Sequence, residues 1–385
     1  MLHLVIKTVE IVSVAGTLAS IGYYALCLTG ASAFLRSSPG EPCSTHPRVS
    51  ILKPLKGTDP DLYENLRSHC LQDYPEYEII FGVEDESDPA AAMVRRIMEE
   101  FPGLAIGLVL CHQDLGANTK VSNLAQMVRT ARHEILVVND GDIRVGAEYL
   151  RGIVATLVRP SIGMVTCLYR GVSQPTLGSR LESLGISTDF IPGVLAALRL
   201  QGIRFGLGST LAFRRSDLEK IGGFESLADY LADDYELGRR IAAQGLEIEL
   251  SREVVETHLP AYDLREFIRH QLRWARTIRD SRPAGYVGLV LTFGLPWAIL
   301  CLLGSRGSIW AWALLLAVAA MRTVVALVVG RTVLRDQFVV RGLALLPVRD
   351  LIAAAVWVCA FAGHRITWRG ESFTLKKGKL VRARS

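Results

Sequence analysis

Two carboxylates stand one residue apart in Asn139-Asp140-Gly141-Asp142, directly after the apolar run Ile135 to Val138. A short apolar run that stops at a Gly/Asp/Asn cluster predicts a buried strand ending in a loop. In open α/β sheets, ligands bind beyond the carboxyl ends of strands. In extended backbone the side chains at i and i+2 point the same way, and Gly141 removes bulk between them. Two carboxylates so placed repel unless something positive lies between them. A hard divalent ion such as Mg2+, partly hydrated and shared with substrate phosphates, suits that need. The same turn also reads as an Asp-rich cap of the next helix. Other acids have equally plain local readings. Asp85, after the run Tyr77 to Val83, reads as a turn residue, and Asp233 and Asp234 as acids favoured at a helix start. Lys120 and Asn123 read as an ordinary helix opening.

The elements that must position these residues alternate. Val49–Lys56, Tyr77–Val83 and Ala105–Leu110 read as strands, with helices at Tyr63–Leu71, Ala90–Phe101 and Lys120–Ala131. That alternation predicts a parallel sheet with helices on both faces. A second half adds strands at Gly163–Tyr169, Phe205–Phe213, Glu247–Leu250 and Val254–His258. It also carries a mostly helical stretch, Leu177–Leu200, interrupted at Pro192-Gly193, and helices at Leu218–Phe224 and Leu231–Ala243. No Gly-x-Gly-x-x-Gly or P-loop is present, so neither a dinucleotide fold nor a P-loop NTPase is supported.

Hydrophobic residues make up 50% of the 385, and they concentrate at both ends. Ile11–Phe34 carries no charge and is long enough to span a bilayer. Its length favours an anchor over a signal peptide. Residues 37–47 form a Pro/Ser linker. Near the other end, Leu264–Arg279 interleaves apolar residues with Arg265, Arg269, His270, Arg273, Arg276 and Arg279. This is a basic amphipathic helix suited to an anionic membrane surface. Apolar spans follow at 286–304 and 308–329. A third, 342–363, is interrupted by Arg349-Asp350 and reads as re-entrant or interfacial, which would keep the basic tail on the side the positive-inside rule requires. Net charge is +5, and there is no basic stripe with interleaved aromatics, so a nucleic-acid partner is not expected. Seven scattered cysteines without a Cys-x-x-Cys pair argue against a disulfide framework or zinc site and suit a reducing compartment.

Taken together, Asp85, Asp140-x-Asp142, Asp234 and His270-Gln-Leu-Arg-Trp274 resemble the pattern of family 2 and family 21 glycosyltransferases: an Asp, an Asp-x-Asp, a further Asp and a (Gln/Arg)-x-x-Arg-Trp. The chain is most similar to the ceramide glucosyltransferase family. Val49-Ser-Ile-Leu-Lys-Pro-Leu-Lys56, Gln72-Asp-Tyr-Pro75, Glu84-Asp-Glu-Ser-Asp-Pro89, Asn118-Thr-Lys-Val-Ser-Asn-Leu124 and Ala232-Asp-Asp-Tyr235 carry that likeness. Phe205-Gly-Leu-Gly-Ser-Thr210 and His270-Gln-Leu-Arg-Trp-Ala-Arg276 resemble its bacterial, hopanoid-glycosylating branch.

The resemblance implies an α/β fold of GT-A type, a nucleotide-sugar-binding mixed sheet flanked by helices, with transmembrane helices at both ends. The implied division is an anchor at 1–36, a catalytic domain at 47–260, an interfacial helix at 261–283, a transmembrane region at 285–363 and a basic tail at 364–385. Trp368-Arg-Gly370 in that tail resembles a basic segment of related membrane glycosyltransferases. The implied roles are uridine contact for Asp85, a place near the nucleotide for Lys120, and a Mg2+ or Mn2+ ion on the diphosphate for Asp140 and Asp142. Asp234 is implied as general base, Arg273 as the cation for the leaving diphosphate, and Trp274 as a wall on the acceptor side. His270 stands where the family has Gln or Arg. The implied partners are a UDP-sugar donor and a lipid acceptor in the membrane: N-acetylglucosamine moved to a polyhydroxylated hopanoid, or glucose to ceramide. The implied setting is a bacterial inner membrane with the catalytic domain cytoplasmic. A processive polysaccharide synthase and a catalytically silent lipid-binding scaffold are the alternatives.

Overall fold

The computed structural model describes residues 2–37, 46–368 and 371–382. Most of the expected linker (38–45, with Cys43), Arg369 and Gly370 of the tail motif, and the last three residues lie outside them. By packing, the chain forms two units. One gathers 1–36, 173–201 and 261–371; the other gathers 37–172, 202–260 and 372–385. The stretch 173–201, which the sequence reading runs through the 47–260 domain, groups by its contacts with the hydrophobic ends.

The second unit is built on an eight-stranded sheet. Its strands are β1 (Val49–Pro54), β2 (Tyr77–Val83), β3 (Ala105–Leu110), β4 (Ile135–Val138), β5 (Ile143–Arg144), β6 (Ile162–Val172), β7 (Leu211–Arg214) and β8 (Glu247–His258), in spatial order β3-β2-β1-β4-β7-β6-β8-β5. β1, β2, β3 and β4 are parallel, as the alternation predicts. β1 and β4 are buried along their whole length, and β4 accordingly reads as a continuous apolar run. The sheet departs from the parallel pattern at β7, which is antiparallel to both β4 and β6, in keeping with the mixed sheet that the resemblance implies. The chain between β6 and β7 runs through 173–201, which groups with the helical unit. The sheet is mixed. The two short strands expected at 247–250 and 254–258 are one strand, β8, with its register broken at a bulge between Ser251 and Val254.

The first unit is helical. Its longest helix is Leu2–Arg36. Small residues let helices approach closely: a Cβ on Gly30 would stand 2.2 Å from the Leu195 carbonyl oxygen, and one on Gly16 2.4 Å from the Trp297 ring. Four helices among the described residues are long and apolar enough to cross a membrane: Leu4–Arg36, Leu177–Gln201, Ile309–Val333 and Phe338–Ala360. Two expectations change here. Phe338–Ala360, which holds the stretch expected to be re-entrant or interfacial, is among the four by length and composition, and Arg349 and Asp350 within it are buried. The span expected at 286–304 is instead two helices, Pro283–Thr292 and Gly294–Gly304, bent by 57°. The break expected at Pro192-Gly193 does not occur. Pro192 has no N–H for the Thr188 carbonyl four residues back. A π-turn over Ile186–Phe190 absorbs the mismatch, and Arg322 Nη1 donates to the Thr188 carbonyl at 2.7 Å.

Candidate active site

In the sheet unit, β4 delivers Asn139 and Asp140 to its carboxyl end. The Asn139 amide donates to the Tyr149 hydroxyl at 2.9 Å and to the Ser209 carbonyl at 2.7 Å, pinning the loop Phe205–Thr210 beside β4. Lys53, fully buried in β1, donates to the Asp140 carbonyl at 2.8 Å. Burial pulls this lysine down to about 7 despite the carboxylates near it. A lysine inside a mostly apolar buried strand is the signal by which it could have been singled out.

The Asp140 carboxylate meets Lys120, which opens the helix Thr119–Met127. Lys120 Nζ lies 2.8 Å from Asp140 Oδ1 and 3.2 Å from Asp233 Oδ2. Burial opposes the ammonium, but Asp140 and Asp233 outweigh it and hold Lys120 well above the ordinary lysine value. Asp233 and Asp234 begin the helix Asp233–Ala242. The Asp234 carbonyl accepts from Gly206 N–H at 3.3 Å, and its Oδ1 accepts from the Tyr235 N–H at 2.7 Å. Burial, and then Asp233, raise the Asp234 carboxyl to about 6.

Gly208 shows how these groups converge. A Cβ built there would lie 3.2 Å from Asp234 Oδ2 and 3.7 Å from Asp140 Oδ2. Both oxygens therefore face the space that the missing side chain leaves open. Asp142 turns to another partner. Its Oδ2 accepts from the Thr257 hydroxyl at 2.5 Å, and its backbone carbonyl accepts from His258 N–H at 2.9 Å. Burial, and then Asp140, raise its carboxyl above the ordinary range. Asp85 sits on the exposed turn after β2 and accepts from Ser87 N–H at 2.7 Å, which lowers its carboxyl.

The expected divalent ion can be tested against these donors. No group of three or more His, Cys, Asp or Glu among the described residues could hold a metal ion. An all-protein cage is therefore not what this cleft provides. Mg2+-type ions are commonly held by one or two carboxylates with substrate phosphates and water completing the shell. Asp140, 40% exposed, with Oδ1 on Lys120 and Oδ2 facing the space at Gly208, fits that mode.

In the helical unit, His270, Arg273 and Trp274 lie on the helix Leu264–Ser281, which opens with an Asp263/Glu266 capping box. His270 Nδ1 lies 3.2 Å from Glu182 Oε1, and its ring stacks on Tyr262 and leans on Trp274. Gln271 donates to Glu182 Oε2 at 2.8 Å. Trp274 packs against Phe190 with ring centroids 6.0 Å apart. Arg273 is half-buried, and its carbonyl accepts from the Thr277 hydroxyl. Two of the arginines expected to face lipid do otherwise. Arg276 donates to the Ala362 and Arg365 carbonyls, and Arg279 to those of Ala360 and Gly363. They cap the end of the helix Leu346–Ala360. Arg265 and Arg269 remain exposed.

The chain is 25% identical over 266 residues to ceramide glucosyltransferase 1 of Caenorhabditis elegans, covering 66% of this chain and 57% of that one. It is 29% identical over 181 residues to the ceramide glucosyltransferase of Gibberella zeae, covering 42% of this chain and 34% of that one. The chain thus spans a little more than half of the first relative and about a third of the second. Among solved structures it is similar to a mannosyltransferase of Pyrobaculum calidifontis in complex with GDP-Man and Mn2+. That match has a TM-score of 0.57 and 21% identity, and covers 92% of this chain and 99% of that one. The fold is of the GT-A type, with apolar helices at both ends of the chain. The profile of glycosyl transferase family 21 matches residues 12–381, and the chain belongs to that family.

Proposed function

We propose that this protein is a membrane-bound hexosyltransferase that moves a sugar from a UDP-sugar to a hydroxyl of a membrane lipid, with inversion at the anomeric carbon. The observation that carries the reading is the pair of carboxylate oxygens, Asp140 Oδ2 and Asp234 Oδ2, aimed at one open space beside Gly208. One is suited to the donor's diphosphate side and the other to the acceptor's proton. The lipid character of the acceptor is supported by the apolar helices and by the names of the relatives. Glucose to ceramide and N-acetylglucosamine to a polyhydroxylated hopanoid are the two donor–acceptor pairs that this chemistry covers. A bacterial inner membrane with the sheet unit on the cytoplasmic side, where nucleotide sugars are made, is the setting we propose.

In the reaction, the lipid oxygen attacks the anomeric carbon, the bond from that carbon to the diphosphate breaks, and the hydroxyl proton passes to Asp234. A carboxyl held at about 6 is ionised at neutral pH yet basic enough to take that proton as the bond forms. A single displacement needs no second carboxylate behind the anomeric carbon. Lys120 keeps the Asp140 and Asp233 charges compensated while Asp234 carries its own. Asp140 and Asp142 would hold a Mg2+ or Mn2+ ion, which when bound would neutralise charge on the diphosphate. The Mn2+ and GDP-Man bound by the mannosyltransferase neighbour support such an ion. Asp85 is proposed for the uridine, Arg273 and His270 for the leaving diphosphate, and Trp274 for the acceptor.

The test is Asp234→Asn in membranes supplied with UDP-glucose or UDP-N-acetylglucosamine and each lipid. A loss of about a hundredfold or more in kcat is expected for a general base. Turnover at the native rate would reject the assignment. Chelation with EDTA is expected to stop transfer and Mn2+ or Mg2+ to restore it; indifference to both would reject the ion.

A further inference from the structure

Charges among apolar helices are costly unless their polar atoms find partners. The helical unit buries Arg322, Arg349 and Asp350 to less than a tenth exposed, with Asp189 beside them. Arg322 is well served. It reaches both Asp350 oxygens, Asp189 Oδ1 at 2.5 Å and the Thr188 carbonyl. Arg349 is not. Its Nη2 donates to Gln271 Oε1 at 2.8 Å and lies 3.4 Å from Asp189 Oδ2. Its Nε and Nη1 have no hydrogen-bond acceptor among the described residues, and Asp189 Oδ2 has no donor. Open donors beside an open acceptor, in a place this apolar, call for a ligand that supplies both. A hydroxyl does so with one atom, accepting from the guanidinium and donating to the carboxylate.

Two local features hold the pair ready. The π-turn Ile186–Phe190 carries Asp189, and Gly185 makes room for the guanidinium, since a Cβ there would stand 2.5 Å from Arg349 Nε. The Asp189 side chain is 30% exposed, while its Oδ2 and the Arg349 Nε and Nη1 are themselves covered. The neighbours connect it to the motif helix. Gln271, which holds Arg349, lies inside His270–Trp274, and Phe190, next to Asp189, packs on Trp274.

We propose that Arg349 and Asp189 form a binding site for a hydroxyl-bearing lipid head group, the polar end of the acceptor. The assignment rests on the lipid-glycosylation reading above and names the residues that would hold that lipid. In the full-length protein in nanodiscs, Arg349→Met and Asp189→Asn are expected to raise the acceptor KM at least tenfold, about 1.4 kcal/mol. The donor KM is expected to stay within about twofold of native. Photolabelling by a diazirine-bearing ceramide, without nucleotide, is expected to fall by a similar factor in both variants. Unchanged acceptor KM and labelling in both would overturn the proposal and leave only a bridging water. Parallel rises in donor and acceptor KM with a lowered Tm in both would overturn it too, as a packing effect. If the native protein glycosylates no lipid, the function proposed above fails, while the labelling of native and variant proteins still decides this site.

Discussion

Replacing Lys120 by Met isolates what one ammonium does in an acidic cleft. Its Nζ stands 2.8 Å from Asp140 and 3.2 Å from Asp233, on a side chain only 11% exposed. At an effective dielectric of about 20, those attractions are worth about 6 and about 5 kcal/mol before desolvation. Burying the ammonium, and water at the more exposed Asp140, offset most of that. What the substitution exposes is the cost of leaving buried carboxylates without their cation, about 3 kcal/mol. Met keeps an unbranched apolar stem, so the loss reports charge more than packing.

The same substitution moves the pH dependence. Burial and Asp233 hold Asp234 at about 6 although Lys120 pulls it down. Without Lys120 it rises further, by about one pH unit for a unit charge removed at close range. A general base works only when ionised, so the acid limb of kcat/KM shifts up by the same amount. Stability runs the other way from an ordinary ion-paired carboxylate. Because the folded value lies above 3.8, Asp234's contribution is fully present below about pH 4 and is lost as pH rises through about 6. That loss is about 3 kcal/mol in the native protein, and in Lys120→Met it extends to higher pH. The assay is kcat/KM from about pH 5 to about 9, with Tm measured on the same samples. An unmoved acid limb with a Tm within about 2 °C of native would refute the electrostatic account.

Gly208→Ala would place a methyl 3.2 Å from Asp234 Oδ2 and 3.7 Å from Asp140 Oδ2. We expect kcat/KM to fall at least about tenfold with Tm little changed, and native kinetics would mean the space beside Gly208 is not used. Deleting 372–385 removes the hairpin whose Leu380 N–H and Gly378 carbonyl bond Asp229 and Leu231, just ahead of Asp233 and Asp234. Hydrogen exchange over 229–234 should rise and kcat should drop; unchanged exchange would make the tail a passenger. Arg322→Leu strands Asp350 and Asp189, and a loss of about 3–5 kcal/mol is expected in reversible detergent unfolding. A loss below about 1 kcal/mol would mean the buried pairing is worth little.

What was legible in the sequence follows from how local each cause is. β1, β2 and β4 could be read because strands covered on both faces are mostly apolar, with Ser50, Lys53 and Glu78 the polar exceptions. The Asp140 turn could be read because Gly and Asp punctuate strand ends. The pairing of Lys120 with Asp140 and Asp233 could not, since it joins three elements that only the folded sheet brings together. Nor could the direction of β7, which depends on where the chain goes between β6 and β7. Pro192 is the sharpest case. Its local rule predicts a break, and the bond that cancels the rule comes from Arg322, 134 residues from the Thr188 carbonyl it serves. Arg349-Asp350 is a similar case: in the sequence the pair interrupts an apolar run, and in the fold Asp350 pairs with Arg322 while Arg349 holds Gln271.

The arginines of the motif helix also revise what its basic character is for. Read alone, Leu264–Ser281 is a cationic face for anionic lipid. Arg276 and Arg279 instead spend their donors on the carbonyls that end Leu346–Ala360. That second helix returns the connection through Arg349, which holds Gln271 from the other side of the motif. The two helices are therefore tied at both ends of the His270–Arg279 stretch, and neither can rotate without breaking charge-assisted bonds. A head group seated on Arg349 would act on the partner of Gln271, one helical step from His270 and two from Arg273. Occupancy of the proposed site would thereby reach the motif's charged side chains through a single guanidinium.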